Sequence, residues 1–287
     1  MSIASITKAA LRLTIICLPL LAALPVFAWE QTMTCDDIFI PCNGNPPMPV
    51  YLPKPCIAFH LNENGSNQIA FNDIKKVVRR SIATWNRPDI SSLQLSFAGL
   101  TDEDRVGYNV YTSKNANIIV FRDETWDDSK AIMALTSVTH HSTTGVIFDS
   151  DIEINSATYQ FGIVEKDGYD IVDLENTLTH EIGHTFGLAH SDVAGSTMSV
   201  SAANGETGMR SLEKDDLDAI ATIYPPSDTT CRFKNNYFSK PPFGMDEIPP
   251  ESGCTATTRH TPNLPVFALL MLLFAGLLGL RPMRHRA

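Results

Sequence analysis

Apolar residues along this chain recur at spacings that separate helices from strands. Within residues 72–86, Ile74, Val77, Val78, Ile82 and Trp85 fall on one face at helical spacing, and Lys75, Lys76, Arg79 and Arg80 lie largely off it. Asn72 or Asp73 can cap this helix, Pro88 ends it, and its basic face reads as solvated surface. Residues 92–98 alternate Leu93, Leu95 and Phe97 with polar neighbours, the pattern of a half-buried strand. Residues 117–121 form a continuous apolar run suited to a central strand, and 131–139 a third strand. A turn at Thr143-Thr144-Gly145 leads into a strand over 146–155, with Asp149, Asp151, Glu153 and Asn155 on one face and Phe148, Ile152 and Ile154 on the other. A second helix starts near Asp173, fixed by a stripe of Leu174, Leu178 and Ile182. A last helix follows Ser211, with Leu212, Leu217, Ile220 and Ile223 inward, and ends at Tyr224-Pro225-Pro226.

Both ends of the 287-residue chain read as targeting segments. Lys8 and Arg12 precede an apolar run to Phe27, and Val26-Phe27-Ala28 offers small residues for cleavage after Ala28, so residues 1–28 form a secretory signal peptide. Residues 29–56 are rich in Pro and Cys and read as an extended, disulfide-pinned arm. Residues 57–226 make one globular domain, and 227–263 a Pro-rich linker. Residues 264–280 are apolar and 281–287 basic. As a helix the apolar run spans about 25 Å against a bilayer core of roughly 30 Å. Its trailing arginines orient the preceding chain outside the membrane. Ser252-Gly253-Cys254, the apolar run and the Arg-rich tail resemble the three-part C-terminal sorting signals of myxobacterial and related Gram-negative surface proteins. The segment is therefore either a membrane anchor or, favoured by Cys254, a cleaved sorting signal. The expected location is across the inner membrane, at the cell surface or in the envelope of a Gram-negative bacterium.

A formal charge of -10 argues against a nucleic-acid partner. Five cysteines lie outside the leader; if Cys254 is the processed residue of a sorting signal, Cys35, Cys42, Cys56 and Cys231 remain for two disulfides. A Cys35–Cys42 loop with Cys56 tied to Cys231 is one of three pairings.

The chemistry concentrates in His180-Glu181-Ile182-Gly183-His184-Thr185-Phe186-Gly187-Leu188-Ala189-His190. Histidines four apart on a helix lie one turn from each other on one face and can reach a single zinc at about 2.0–2.1 Å. Gly187 lets the helix stop so that His190 swings back to the same ion. Three neutral imidazoles leave a fourth position open for water, the mark of a catalytic rather than a structural zinc. Glu181 is then the base that takes the water's proton and later delivers it to the leaving amine. A helix with solvated histidines and a surface glutamate is the plain alternative, and the glycine and third histidine in register make it improbable.

This extended motif is similar to that of the metzincin zinc peptidases, and Ser191 after the third histidine resembles the matrixin branch (peptidase M10). The resemblance covers residues 57–226. It implies an α+β fold with a twisted mixed sheet, two long helices and a C-terminal helix, and it places Met198 in a tight turn beneath the metal. It implies that the strand from Ala131 forms the upper cleft rim and pairs with an extended protein or peptide substrate. It also implies that the chain from Met198 to about Arg210 walls the pocket beyond the cut bond. Val200 stands where astacins and serralysins carry a tyrosine ligand, so none is expected. Ser137 and Ile147 replace the histidines of the matrixin structural zinc, so one catalytic ion is expected; His140 and His141 read as a solvated turn. Asp149, Asp151 and Glu153 are either a calcium site, as in many matrixins, or a solvated strand face. The alternative to a peptidase is a non-catalytic surface adhesin on the same scaffold, against which the retained Glu181 speaks.

Overall fold

The computed structural model describes residues 29–35, 46–109, 115–231, 233 and 253–260. Residues 1–28, Cys42 and the segment 264–280 lie outside these residues. Strand β1 (Cys56–Asn62) is followed by helix α1 (Phe71–Trp85), then by β2 (Gln94–Thr101), β3 (Asn117–Phe121), β4 (Ala134–His141) and β5 (Ile147–Ile154). A two-stranded ladder of β6 (Phe161–Gly162) and β7 (Val172–Asp173) encloses the short helix α2 (Val164–Asp167) and leads into α3 (Leu174–His184). A 3-10 turn (Gly208–Arg210), helix α4 (Lys214–Ile223) and strand β8 (Gly253–His260) complete the order. The main sheet runs β2-β1-β3-β5-β4-β8; β2, β1, β3 and β5 are parallel neighbours, and β4 is antiparallel to both β5 and β8. This is the α+β arrangement expected, a mixed sheet with helices packed against it.

Helix α1 forms on the apolar stripe read from the sequence: Ile74, Val77, Val78, Ile82 and Trp85 are all buried. Its N-cap is Ala70, which makes no side-chain cap bond, so neither Asn72 nor Asp73 caps it; Asp73 lies in the first turn and pairs with Lys76 and Lys166. The basic face is only partly solvated, because Arg80 binds Glu175 of α3 at 2.5–2.8 Å and Arg79 lies over the Phe97 ring. The Trp85 indole donates to Thr179 O at 2.8 Å and its ring meets Phe186 edge-on, fixing α1 against the helix that carries the histidines.

Three further sequence readings change. His140 and His141 close strand β4 rather than forming a solvated turn, and His140 is 1% exposed. The face of β5 carrying Asp149 and Asp151 is buried, not solvated. The linker contains a strand: its residues 253–260 pair along all of β4.

The described parts of the N-terminal arm are tied to the domain. Cys56 is bonded to Cys231, and Cys35 is also in a disulfide. Thr32 N donates to Gly187 O, Ala189 N to Glu30 O and Trp29 N to Asp215 Oδ1, at 2.9, 2.9 and 3.1 Å. Among the described residues, no helix is long and apolar enough to cross a membrane.

Candidate metal centre

Helix α3 starts at Asp173, whose carboxylate accepts from Asn176 N at 2.8 Å, satisfying one of the amides that a helix start leaves without a partner. Leu174, Leu178 and Ile182 are fully buried beneath it. Asp173 also receives Arg210, which bridges it to Glu165. The Asp173 side chain is 0% exposed, so Arg210 neutralises a charge that water cannot reach. Replacing Arg210 with Ala should cost about 3 kcal/mol, the lower end for stranding a buried charge, because Asp173 keeps its backbone donors. Urea denaturation of the variant measures it.

The rest of the site grows from this helix. His180 Nδ1 donates to Thr197 O and His184 Nδ1 to Leu188 O, both at 2.7 Å. These bonds fix each ring and leave its Nε2 as the lone-pair nitrogen, as a metal ligand requires. The two Nε2 atoms stand 3.0 Å apart, a separation that a shared cation would relieve. Gly187, at φ 97°, turns the chain so that His190 joins them, and the ligand atoms of all three lie within 4.8 Å of one another. His190 Nε2 is buried without a hydrogen-bond partner, and burial pushes this imidazole below its ordinary pKa, toward the neutral form that binds metal. The donor set, the ring orientation and this orphaned nitrogen fit a zinc ion.

Glu181 is fully buried beside the triad. The Thr136 hydroxyl of β4 donates to Glu181 Oε2 at 2.5 Å and to its backbone carbonyl at 3.1 Å. Burial pushes the Glu181 carboxyl up to about 8, against the lowering effect of the Thr136 bond.

Met198 lies directly under α3: a Cβ added to Gly183 would come within 2.3 Å of its sulfur. Asp216 of α4 holds the turn that carries it, accepting from Ser196 Oγ, Thr197 N and Met198 N at 2.6, 2.8 and 3.2 Å. Ser191 N donates to Met198 O at 2.7 Å, and the Ser191 hydroxyl to Asp215 at 2.6 Å. The segment after Met198 is pinned to α3 where Met209 N donates to Asn176 Oδ1 at 2.8 Å. Val200 is 43% exposed.

Thr136 and the turn-holding role of Asp216 escape a reading by motif. A glycine inside a helix, as at Gly183, costs about 1 kcal/mol relative to Ala and signals the close packing that Met198 provides. For Asp216, the hint is an acidic residue three positions after Glu213, a spacing typical of a helix start.

The three acidic residues of β5 do not converge. Glu153 binds Arg122 at 2.7 Å, while Asp151 accepts from Gly107 N and Ile118 N at 2.7 and 2.9 Å and shares a hydrogen bond with Asp149. Among the described residues, the group whose ligand atoms gather around one point is His180, His184 and His190.

Comparison with known proteins agrees with this geometry. The profile of the matrixin family (peptidase M10) matches residues 53–225. A stretch of 54 residues is 41% identical to the metalloendoproteinase 5-MMP of Arabidopsis thaliana, covering 19% of this chain and 15% of that protein. The match thus spans well under a quarter of that relative's length. With the profile covering more than half of the sequence and the histidine cluster assembled as the motif requires, this chain belongs to the matrixin family of metallopeptidases.

Proposed function

We propose that this protein is an extracellular zinc endopeptidase acting on protein or peptide substrates. The observation that carries the reading is the convergence of His180, His184 and His190 beside a buried Glu181 already oriented by Thr136. His180, His184 and His190 would hold a zinc ion, which when bound would act as a Lewis acid toward the scissile carbonyl and lower the pKa of water near it. Glu181 then takes a proton from the attacking water and returns it to the leaving amine. Thr136 holds Oε2, so the carboxyl plane is set before substrate arrives. Purified protein should cleave members of a peptide library, lose that activity with a zinc chelator and regain it with added zinc. Zinc uptake without cleavage of any peptide would overturn the proposal.

The location is part of the same proposal: export through a leader cleaved after Ala28, and retention at a Gram-negative envelope or surface through residues 264–287. The Cys56–Cys231 disulfide supports an oxidising compartment. The C-terminal segment is read as a sorting signal cut at Cys254 in preference to an anchor, and mass spectrometry of the mature C-terminus distinguishes the two.

Calcium at Asp149 and Asp151 is a further element of the reading, supported by the burial of two adjacent carboxyls. Burial raises both pKa values, Asp151 to about 6. Raised folded values mean that the folded protein holds these protons more tightly, so without a cation the pair costs stability above the ordinary carboxylate range and is relieved as pH falls back into that range, toward about 4. Asp149→Asn should therefore raise the Tm at pH 7 in chelator and change it little at pH 4. If calcium binds, it raises the Tm of the unaltered protein and not that of Asp149→Asn; scanning calorimetry with and without calcium decides.

A further inference from the structure

Strand β4 has one neighbour from the domain, β5, and one from outside it. Its second edge is paired with Gly253–His260 in unbroken antiparallel register, from Ala134 opposite His260 to His141 opposite Gly253. That edge borders the metal centre, because Thr136 of β4 holds Glu181, and the residue opposite Thr136 is Thr258. Some Cα atoms of β8 come within 8 Å of Cα atoms in α3, the helix carrying His180, Glu181 and His184. An extended peptide reaching this site would add to the same edge, since an open strand edge captures a peptide through main-chain hydrogen bonds. β8 therefore occupies the line along which a substrate would lie.

The local sequence suits such a strand. Thr255, Thr257 and Thr258 favour extended backbone, and the run is closed off by Pro249-Pro250 on one side and Pro262 on the other. Cys231 is anchored to Cys56, and the 22 steps from residue 231 to residue 253 can span roughly 70 Å when extended, so the strand reaches β4 of its own chain.

We propose that residues 253–260 are an intramolecular occupant of the β4 edge that excludes extended peptides from the metal centre until they are displaced or removed. The proposal rests on the peptidase reading for its consequence, though not for the docking itself. It couples location to activity: a cut at Cys254 would release residues 255–260, including Thr258 opposite Thr136, and so open the edge.

The test uses the full chain with Ala256→Pro and Thr257→Pro together. Alternate amides of an antiparallel strand face its neighbour, so one of two adjacent prolines removes a ladder bond. Hydrogen exchange of the β4 amides should accelerate in the double variant, with α1 and α3 unchanged. If the docked state holds about nine molecules in ten, kcat/KM on a short peptide should rise about tenfold. A synthetic peptide of residues 253–260 should inhibit the double variant competitively. Unchanged exchange in β4 overturns the docking. Faster exchange with unchanged kcat/KM in an active enzyme overturns the inhibitory role. If both proteins are inert while β4 exchange still differs, the peptidase reading has failed and the docking has not.

Discussion

Replacing Glu181 with Gln is expected to lower kcat/KM about 10²–10⁴-fold, the usual contribution of a positioned acid–base group. This corresponds to about 3–5 kcal/mol of transition-state stabilisation. Gln matches Glu in size and can still accept the Thr136 hydroxyl, so the side chain should stay in place. His180, His184 and His190 are oriented by carbonyls of Thr197 and Leu188 and by the Gly187 turn, none of which involves the Glu181 carboxyl. Zinc content by atomic absorption should thus equal that of the unaltered protein. Retained activity would remove Glu181 from the chemistry. An inert parent protein with zinc bound would instead favour the adhesin reading.

The second large effect is expected at Gly187. An alanine there meets two obstacles. Its φ of 97° is costly for any residue with a Cβ, about 1–2 kcal/mol, and that Cβ would stand 2.2 Å from Val50 O. The arm would have to move, loosening the bonds from Thr32 N to Gly187 O and from Ala189 N to Glu30 O. Together about 3–5 kcal/mol should be lost, a large share of the roughly 5–15 kcal/mol that stabilises a typical domain. His190, three residues on, would be displaced as well, so a competing chelator should strip zinc more readily. Gly195→Ala is the control: φ is 88° but no atom lies within 4 Å of the added Cβ, so only the backbone term of about 1–2 kcal/mol applies. Equal losses in the two variants would show that the contact with the arm contributes nothing.

The metal site was legible because its information is local. A helix places residues four apart on one face whatever surrounds it, and Gly187 announces the turn that returns His190. The α1 stripe and the β3 run were readable for the same reason. β1 was not: six of its seven positions are buried, so it shows no alternation, and it resembles neither template cleanly. Thr136 and Asp216 act across 45 and about 20 residues of chain, and contacts of that range follow from sheet register and helix packing rather than from spacing. The burial of the Asp149–Asp151 face was not legible, because alternation reports that two faces differ, not whether the polar one meets water. Here the chain around Gly107 and β3 covers it.

The disulfide between Cys56 and Cys231 has a mechanical meaning. It joins the first residue of β1 to the chain beyond α4, with Cα atoms 5.7 Å apart. Once residues 253–260 have left the β4 edge, tension applied from the C-terminal side past Cys231 is delivered to β1, which is clamped between β2 and β3. A strand loaded along its length resists by shearing many lateral bonds at once, whereas a terminal helix would peel turn by turn. The load path bypasses α4, the Met198 turn and the histidine cluster. A molecule tugged from that end would keep its metal centre unloaded.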